Sequence, residues 1–275
     1  MTTTAAAMLA EARQRIPAAE ARLLLGHLLG KSAAWLEAHR DEVAGDADEY
    51  SALVDRRAAG EPIAYLIGVR EFYGRDFTVT PDVLIPRLET ELLVDIAKSK
   101  VSAGETASIL DLGAGSGCLA VTLALELHHA RVTAVDISPA ALAVARGNAA
   151  RLGAAVDFTE SDWFAALEPQ CFDLIVANPP YVAAGDPHLA EGDLRFEPAD
   201  ALTDHADGLT AIRRIIAQAP SWLSPGGWLF FEHGYDQGAP TRALLESAGF
   251  VDLEQHRDLA GIVRTSGGRR PVGHD

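Results

Sequence analysis

The stretch that decides the fold is Ser108-Ile109-Leu110-Asp111-Leu112-Gly113-Ala114-Gly115-Ser116-Gly117. Its first half is a short apolar run of strand length, and its second half places glycine at every other position. The apolar segment Cys118–Leu127 that follows is long enough for a helix. Working outward, Val132–Asp136 reads as a strand and Pro139–Leu152 as a helix. Val156–Thr159 and Phe172–Ala177 read as strands, Ala211–Ala219 as a helix and Gly227–Glu232 as a strand. Thr241–Ala248 is a helix closed by Gly249. Strands alternating with helices predict an α/β domain whose mostly parallel sheet is covered by helices on both faces.

Glycines in a strand-to-helix turn let the backbone bend sharply and come close to a ligand, where a Cβ would clash. Nucleotide binders of many kinds share such a turn. The next strand ends in Val135-Asp136-Ile137-Ser138, and an acid there can accept hydrogen bonds from both hydroxyls of a ribose. That placement suits NAD(P) as well as S-adenosylmethionine. The loop itself tilts the choice toward S-adenosylmethionine without closing it, because Gly113, Gly115 and Gly117 follow a G-x-G-x-G spacing rather than G-x-G-x-x-G. Asp111, just before the loop, can face the positive end of a methionine moiety, directly or through water.

Asn178-Pro179-Pro180-Tyr181 comes directly after the strand Phe172–Ala177. Two successive prolines fix the backbone and remove two N–H donors, which leaves the local carbonyls free to accept. The Asn178 side-chain oxygen and the Pro179 carbonyl can each take one N–H of a substrate amino group, and Tyr181 can lie against a flat conjugated group. The lone pair of an amide or aryl-amine nitrogen is delocalised and weakly nucleophilic. Two acceptors holding both protons raise its electron density and aim it at an activated methyl group. No metal or covalent intermediate is needed. The expectation is a methyltransferase acting on a planar amide or amino nitrogen, with S-adenosylmethionine converted to S-adenosylhomocysteine.

The remainder of the chain adds smaller pieces. Ala21, Leu24, Leu25, Leu28 and Leu29 form one apolar helical stripe, with Pro17 at its start and Gly30 at its end. Further helical stretches cover about Thr4–Ile16, Ser32–His39 and Ala47–Ala59. From Pro62 to Thr80, the residues Tyr65, Ile67, Val69, Phe72, Tyr73, Phe77 and Val79, punctuated by Gly68 and Gly74, predict a β-hairpin. The expected organisation is a helical domain over 1–61, a hairpin connector over 62–80 and the catalytic domain over 81–275.

Composition narrows the partners. The 275 residues carry 23 basic and 39 acidic side chains, for a net charge of −16. Only three residues are lysine, and no basic tract stands out, which disfavours a nucleic-acid substrate. No apolar run reaches bilayer length and no basic leader precedes one, so a cytoplasmic protein without membrane contact is expected. Cys118 and Cys171 are expected to be buried reduced thiols, and the nine scattered histidines offer no metal-ligand spacing.

Several stretches resemble the release-factor glutamine methyltransferases, which modify the glutamine of the Gly-Gly-Gln motif in peptide chain release factors. Besides Asn178-Pro179-Pro180-Tyr181, which adenine-N6 DNA methyltransferases share, these are Ile85-Pro86-Arg87-Leu88-Glu89-Thr90-Glu91 and Ser161-Asp162-Trp163-Phe164. Glu197-Pro198, Ala201-Leu202, Asp207-Gly208-Leu209, Glu232-His233-Gly234 and Asp258-Leu259-Ala260-Gly261, with Arg264 and Arg269, complete the match across nearly the whole chain. Leu88 departs from the family, which usually has a second proline there. The resemblance implies a Rossmann-like class I methyltransferase domain behind a small helical domain used for substrate docking. It implies methionine contacts at Gly113, Ala114, Gly115, Ser116 and Gly117, ribose binding by Asp136, adenine packing on Trp163, and Asn178 near both ligands. The substrate glutamine would sit on Asn178, Pro179, Pro180 and Tyr181, with Asn178, Pro179 and Tyr181 as the catalytic set. Arg87 and Glu89 are expected to pair at the pocket entrance, and Glu197 and His233 to be structural. Two other readings compete: adenine-N6 methylation of nucleic acid, and a non-catalytic binding protein on a methyltransferase fold.

Overall fold

A computed structural model describes residues 4–102, 104 and 106–273. The chain divides into two units, one of Met1–Val69 with Ala190–Phe196 and the other of Arg70–Leu189 with Glu197–Asp275.

The first unit is helical. Thr4 caps α1 (Ala5–Ala12) through its hydroxyl, and Gly30, in the left-handed region, ends α2 (Ala18–Leu29). Ser32 caps α3 (Ala33–Ala38), and Asp46 caps α4 (Ala47–Ala58) by accepting the N–H groups of Asp48 and Glu49. The apolar faces meet in a core built on Met8, Leu9, Leu24, Leu25, Leu36, Tyr50, Val54 and Leu66. The buried Tyr50 hydroxyl donates to the Ala21 carbonyl at 2.9 Å. Leu66 belongs to α5 (Ile63–Ile67), so the hairpin expected from Pro62 onward begins later. Pro62 and Gly68 bracket this segment as N-cap and left-handed C-cap, and Tyr65 and Ile67 are helical rather than extended. The hairpin itself is β1 (Val69–Phe72) and β2 (Arg75–Thr78).

The second unit is a seven-stranded sheet flanked by helices. After α6 (Glu91–Lys100) come β3 (Ser108–Leu112), α7 (Cys118–Glu126), β4 (Arg131–Asp136), α8 (Pro139–Leu152), β5 (Val156–Glu160) and β6 (Phe172–Ala177). Then follow α9 (Ala199–Leu202), α10 (Thr210–Trp222), β7 (Leu223–Glu232), α11 (Gly238–Ser247), β8 (Val251–Arg257) and β9 (Val263–Arg269). The order across the sheet is β5-β4-β3-β6-β7-β9-β8. β3 to β7 run parallel, and β9 and β8 close one edge antiparallel.

Side chains alternate across the strands with period two. Ile109, Leu174, Val176 and Phe230 point into a core shared with Leu93, Val94 and Ile96 of α6 and Leu119, Val121 and Leu123 of α7. Leu110, Leu112, Ile175, Leu229 and Phe231 point the other way, onto Ile212, Ile215 and Ile216 of α10 and Leu245 of α11. Burying each such side chain contributes about 1.5–3 kcal/mol. Both faces are therefore covered, as the alternation of strands and helices predicts.

Candidate functional site

The chain leaves β3 to build β4 and β5 on one side, then returns to build β6 and β7 on the other. In an open parallel sheet this reversal opens a crevice at the carboxyl ends of the central strands. The glycine loop after β3 and the Asn178–Tyr181 turn after β6 both lie there.

The loop is pinned by its backbone. The N–H groups of Gly113 and Ala114 both donate to the Val135 carbonyl at 2.9 Å, which ties the end of β3 to the end of β4. Gly117 starts α7 with φ of +79°, and a Cβ there would stand 3.0 Å from the Ala145 Cβ and 3.1 Å from its Cα. Only glycine permits that left-handed turn and that approach to α8. From below, the fully buried Asn148 of α8 donates to the carbonyls of Ser116 and Thr78, each at 2.9 Å, and accepts the Thr78 N–H at 2.8 Å. One amide thus clamps the loop to the hairpin strand β2.

A cavity of about 340 Å³ opens over the loop. Gly113, Ala114, Gly115 and Ser116 line it, as do Asp111, Asp136, Trp163, Asn178 and Pro180. Gly117 lies behind, in the contact with α8. The Asp136 carboxylate accepts the Gly115 N–H through Oδ2 at 2.8 Å and the Ser138 N–H through Oδ1 at 2.9 Å. Each oxygen keeps a further lone pair for a hydroxyl donor. Asp111 is 1% exposed, and burial raises its carboxyl to about 7, against the lowering effect of the Ala120 N–H. A cation brought beside it would favour the charged form.

Trp163 has φ of +55°, a conformation a bulky side chain adopts at a cost of about 1–3 kcal/mol. Ser161 holds it there: its hydroxyl donates to the Trp163 carbonyl at 2.8 Å and accepts the Ala166 N–H at 3.0 Å. The exposed side chain of Ile137 and the Trp163 ring offer the cavity apolar surface for a flat ring. Asp162 is engaged outward in a bidentate pair with Arg214, both contacts at 2.8 Å.

At the other end, Asn178 and Pro180 line the cavity directly, while Pro179 and Tyr181 complete the same turn. Asn178 Nδ2 donates to Thr90 Oγ1 at 3.0 Å. The Thr90 hydroxyl donates to Glu232 Oε2 at 2.7 Å, and the Tyr181 hydroxyl donates to Glu232 Oε1 at 2.9 Å. Thr90 and Glu232 are 2% and 1% exposed, so this network is shielded from water. The adjacent Glu232 charge, reinforced by burial, holds the Tyr181 hydroxyl well above the usual phenol range. Burial raises the Glu232 carboxyl, and the two hydroxyl donors oppose that shift. Gln237 fixes the turn further by donating to the Tyr181 carbonyl at 2.9 Å. Thr90 and Glu232 both fall in stretches that carry the family resemblance, yet nothing in their spacing brings them together. The fold does so, across 142 residues.

Two expectations are corrected. Arg87 pairs with Glu197, not with Glu89. The buried Glu197 also accepts the Ile85 N–H at 2.9 Å, so it anchors the segment leading into the cavity. The thiols are not both buried: Cys171 is exposed in the turn before β6, and Cys118 is half-buried at the start of α7. His233 is fully buried, with Nδ1 at 2.8 Å from the Gly234 carbonyl and Nε2 at 2.8 Å from the Ser266 hydroxyl. The carbonyl can only accept, so Nδ1 carries the proton, and burial lowers the ring's basicity. Among the described residues no group of three or more His, Cys, Asp or Glu side chains is placed to hold a metal ion. No helix among them is long and apolar enough to cross a membrane.

A family model described as the PrmC N-terminal domain matches residues 1–68, and one described as the methyltransferase small domain matches residues 88–194. The release factor glutamine methyltransferase of Burkholderia pseudomallei is 53% identical over 265 residues, covering 93% of each chain. That of Bordetella pertussis is 54% identical over 256 residues, covering 92% of this chain and 95% of its own. Among solved structures, a methyltransferase from Pyrococcus furiosus superposes with a TM-score of 0.56 at 16% identity, over 81% of this chain and all of that one. That likeness concerns the fold. With relatives this similar over nearly its whole length, the chain belongs to the release factor glutamine methyltransferase family and is an S-adenosylmethionine-dependent methyltransferase of the class I fold.

Proposed function

We propose that this protein methylates the side-chain amide nitrogen (N5) of the glutamine in the Gly-Gly-Gln motif of peptide chain release factors. The observation that carries the reading is the orientation of Asn178. Its NH₂ donates to Thr90, which leaves Oδ1, on a side chain that lines the cavity, free to accept.

The residues around the cavity fit S-adenosylmethionine by their donor and acceptor chemistry. Asp136 has lone pairs for two ribose hydroxyls, Trp163 and Ile137 give the adenine an apolar seat, and the 113–117 loop carries the methionine part. Asp111 faces its positive end. When bound, the donor supplies an electrophilic methyl group on a sulfonium centre. The protein's task is to prepare the acceptor nitrogen. Asn178 Oδ1 and the Pro179 carbonyl hold its two protons, draw electron density onto nitrogen and keep the amide from rotating away. Tyr181, locked by Glu232, supports the plane of the amide. After transfer the nitrogen carries an extra proton that is strongly acidic, so it leaves without a dedicated base. The helical unit serves as the docking module for the release factor.

A direct test offers labelled methyl donor to the enzyme with a purified release factor, with that factor carrying Gln→Ala in its Gly-Gly-Gln motif, and with DNA and RNA. Label in the first alone supports the reading. Label in nucleic acid would favour adenine-N6 methylation, and label in none would favour a non-catalytic role.

A further inference from the structure

Thr90 and Glu232 lie outside the Asn178–Tyr181 turn, and neither needs to touch the substrate. We infer that Glu232, acting through Thr90, sets which end of the Asn178 amide faces the substrate, and that both are positioning residues for methyl transfer. The inference rests on the reading of the site given above.

The available protons fix the orientation. A threonine hydroxyl has one hydrogen to give, and here it goes to Glu232 Oε2 at 2.7 Å. The Thr90 oxygen can then only accept on its other side, so the Asn178 group 3.0 Å away must present its NH₂. That leaves Oδ1, on a side chain that lines the cavity, as the free acceptor. The reverse flip would set an oxygen against an oxygen at Thr90 and aim two N–H groups at a substrate that also brings N–H groups. The second hydroxyl makes the same point from the other side. Tyr181 donates to Glu232 Oε1 at 2.9 Å, so the carboxylate is a pure acceptor toward both neighbours. An amide in its place cannot be, because one of its two ends must donate. With an NH₂ facing Thr90, the threonine oxygen would accept there and its hydrogen would turn to Asn178. The Asn178 amide would then be free to flip.

Three substitutions test this in the full-length protein with a release factor as substrate. Thr90→Val keeps the shape and deletes the hydroxyl; it should lower kcat by about 10²-fold with donor affinity little changed, as expected for a misoriented reacting group. Thr90→Ser restores the hydroxyl and should recover most of that loss. Glu232→Gln, close in size, should lower kcat by less than Thr90→Val, because only the orientation that turns its NH₂ to Thr90 breaks the relay. The double variant should be little worse than Thr90→Val alone; a double variant far below Thr90→Val overturns the coupling. Full kcat in Thr90→Val, or no recovery in Thr90→Ser, overturns the relay while leaving the methylation reading intact. If the wild-type enzyme modifies no release factor, the methylation reading falls, and side-chain ¹H–¹⁵N exchange still judges the relay. The Asn178 NH₂ should be protected from solvent exchange in the wild type and lose that protection in Thr90→Val; equal exchange rates overturn it.

Discussion

Among single residues, the proposed reaction assigns holding the donor and preparing the acceptor to different side chains. Asp136 keeps one lone pair on each oxygen after binding the Gly115 and Ser138 N–H groups. Asp136→Ala should therefore weaken donor binding by about 1.5–3 kcal/mol, the scale of hydrogen bonds to a charged group. Calorimetric titration checks this, and unchanged affinity would remove Asp136 from ribose binding. Asn178→Ala should instead lower single-turnover rates by about 10²–10³ at saturating donor, the scale for a lost preorganised polar contact. If that variant fails only because the donor no longer binds, Asn178 belongs to the donor site alone. Asp111 yields a pH signature. Its carboxyl stands near 7 in the folded protein against an ordinary value of 3.8, so between those values the folded state holds the proton more tightly than the unfolded chain. Stability of the ligand-free protein then falls as pH rises through that window. Asp111→Asn should flatten this slope in denaturant titrations, and an unchanged slope would mean that Asp111 ionises normally. The acid after the loop and the Asn-Pro-Pro-Tyr turn are legible in the sequence because their chemistry is local. The Glu197 partner of Arg87 lies 110 residues away, and only the fold brings it there.

Among the elements, the glycine loop is legible because backbone constraint dictates residue type. Gly117→Ala should cost at least about 1–2 kcal/mol for the left-handed backbone, with a further penalty from the contact at Ala145. Equilibrium unfolding measures this; a change below that range would mean α7 and α8 separate easily. Where local signals conflict, the sequence misleads. Ile63–Ile67 has the branched and aromatic residues of a strand, yet Pro62 and Gly68 bracket it as helix caps, and the packing of Leu66 in the helical core decides for helix. β8 gives little signal because its residues are mostly polar and it lies at the sheet edge. β9 is hidden by Gly267 and Gly268, which weaken a strand pattern. A Cβ on Gly267 would collide with the Phe230 ring and the Leu229 carbonyl, so glycine there marks close packing between strands.

Across the whole molecule, the residues proposed to bind donor and substrate amide all belong to the second unit, while the helical unit has its own buried core. Deleting residues 1–68 should leave donor affinity largely intact and lower activity on an intact release factor. Circular dichroism must first show that the truncated protein folds, and full activity would remove the docking role. The net charge of −16 suits a basic protein surface better than a phosphate backbone, so methylation should slow as salt screens that attraction. The proposed chemistry stands or falls on the identity of the methylated atom. Tandem mass spectrometry of a release factor after a single turnover with isotopically labelled donor identifies that atom. One label is expected on the side-chain amide nitrogen of the Gly-Gly-Gln glutamine; label on any other residue, or none on the factor, would contradict the proposed reaction.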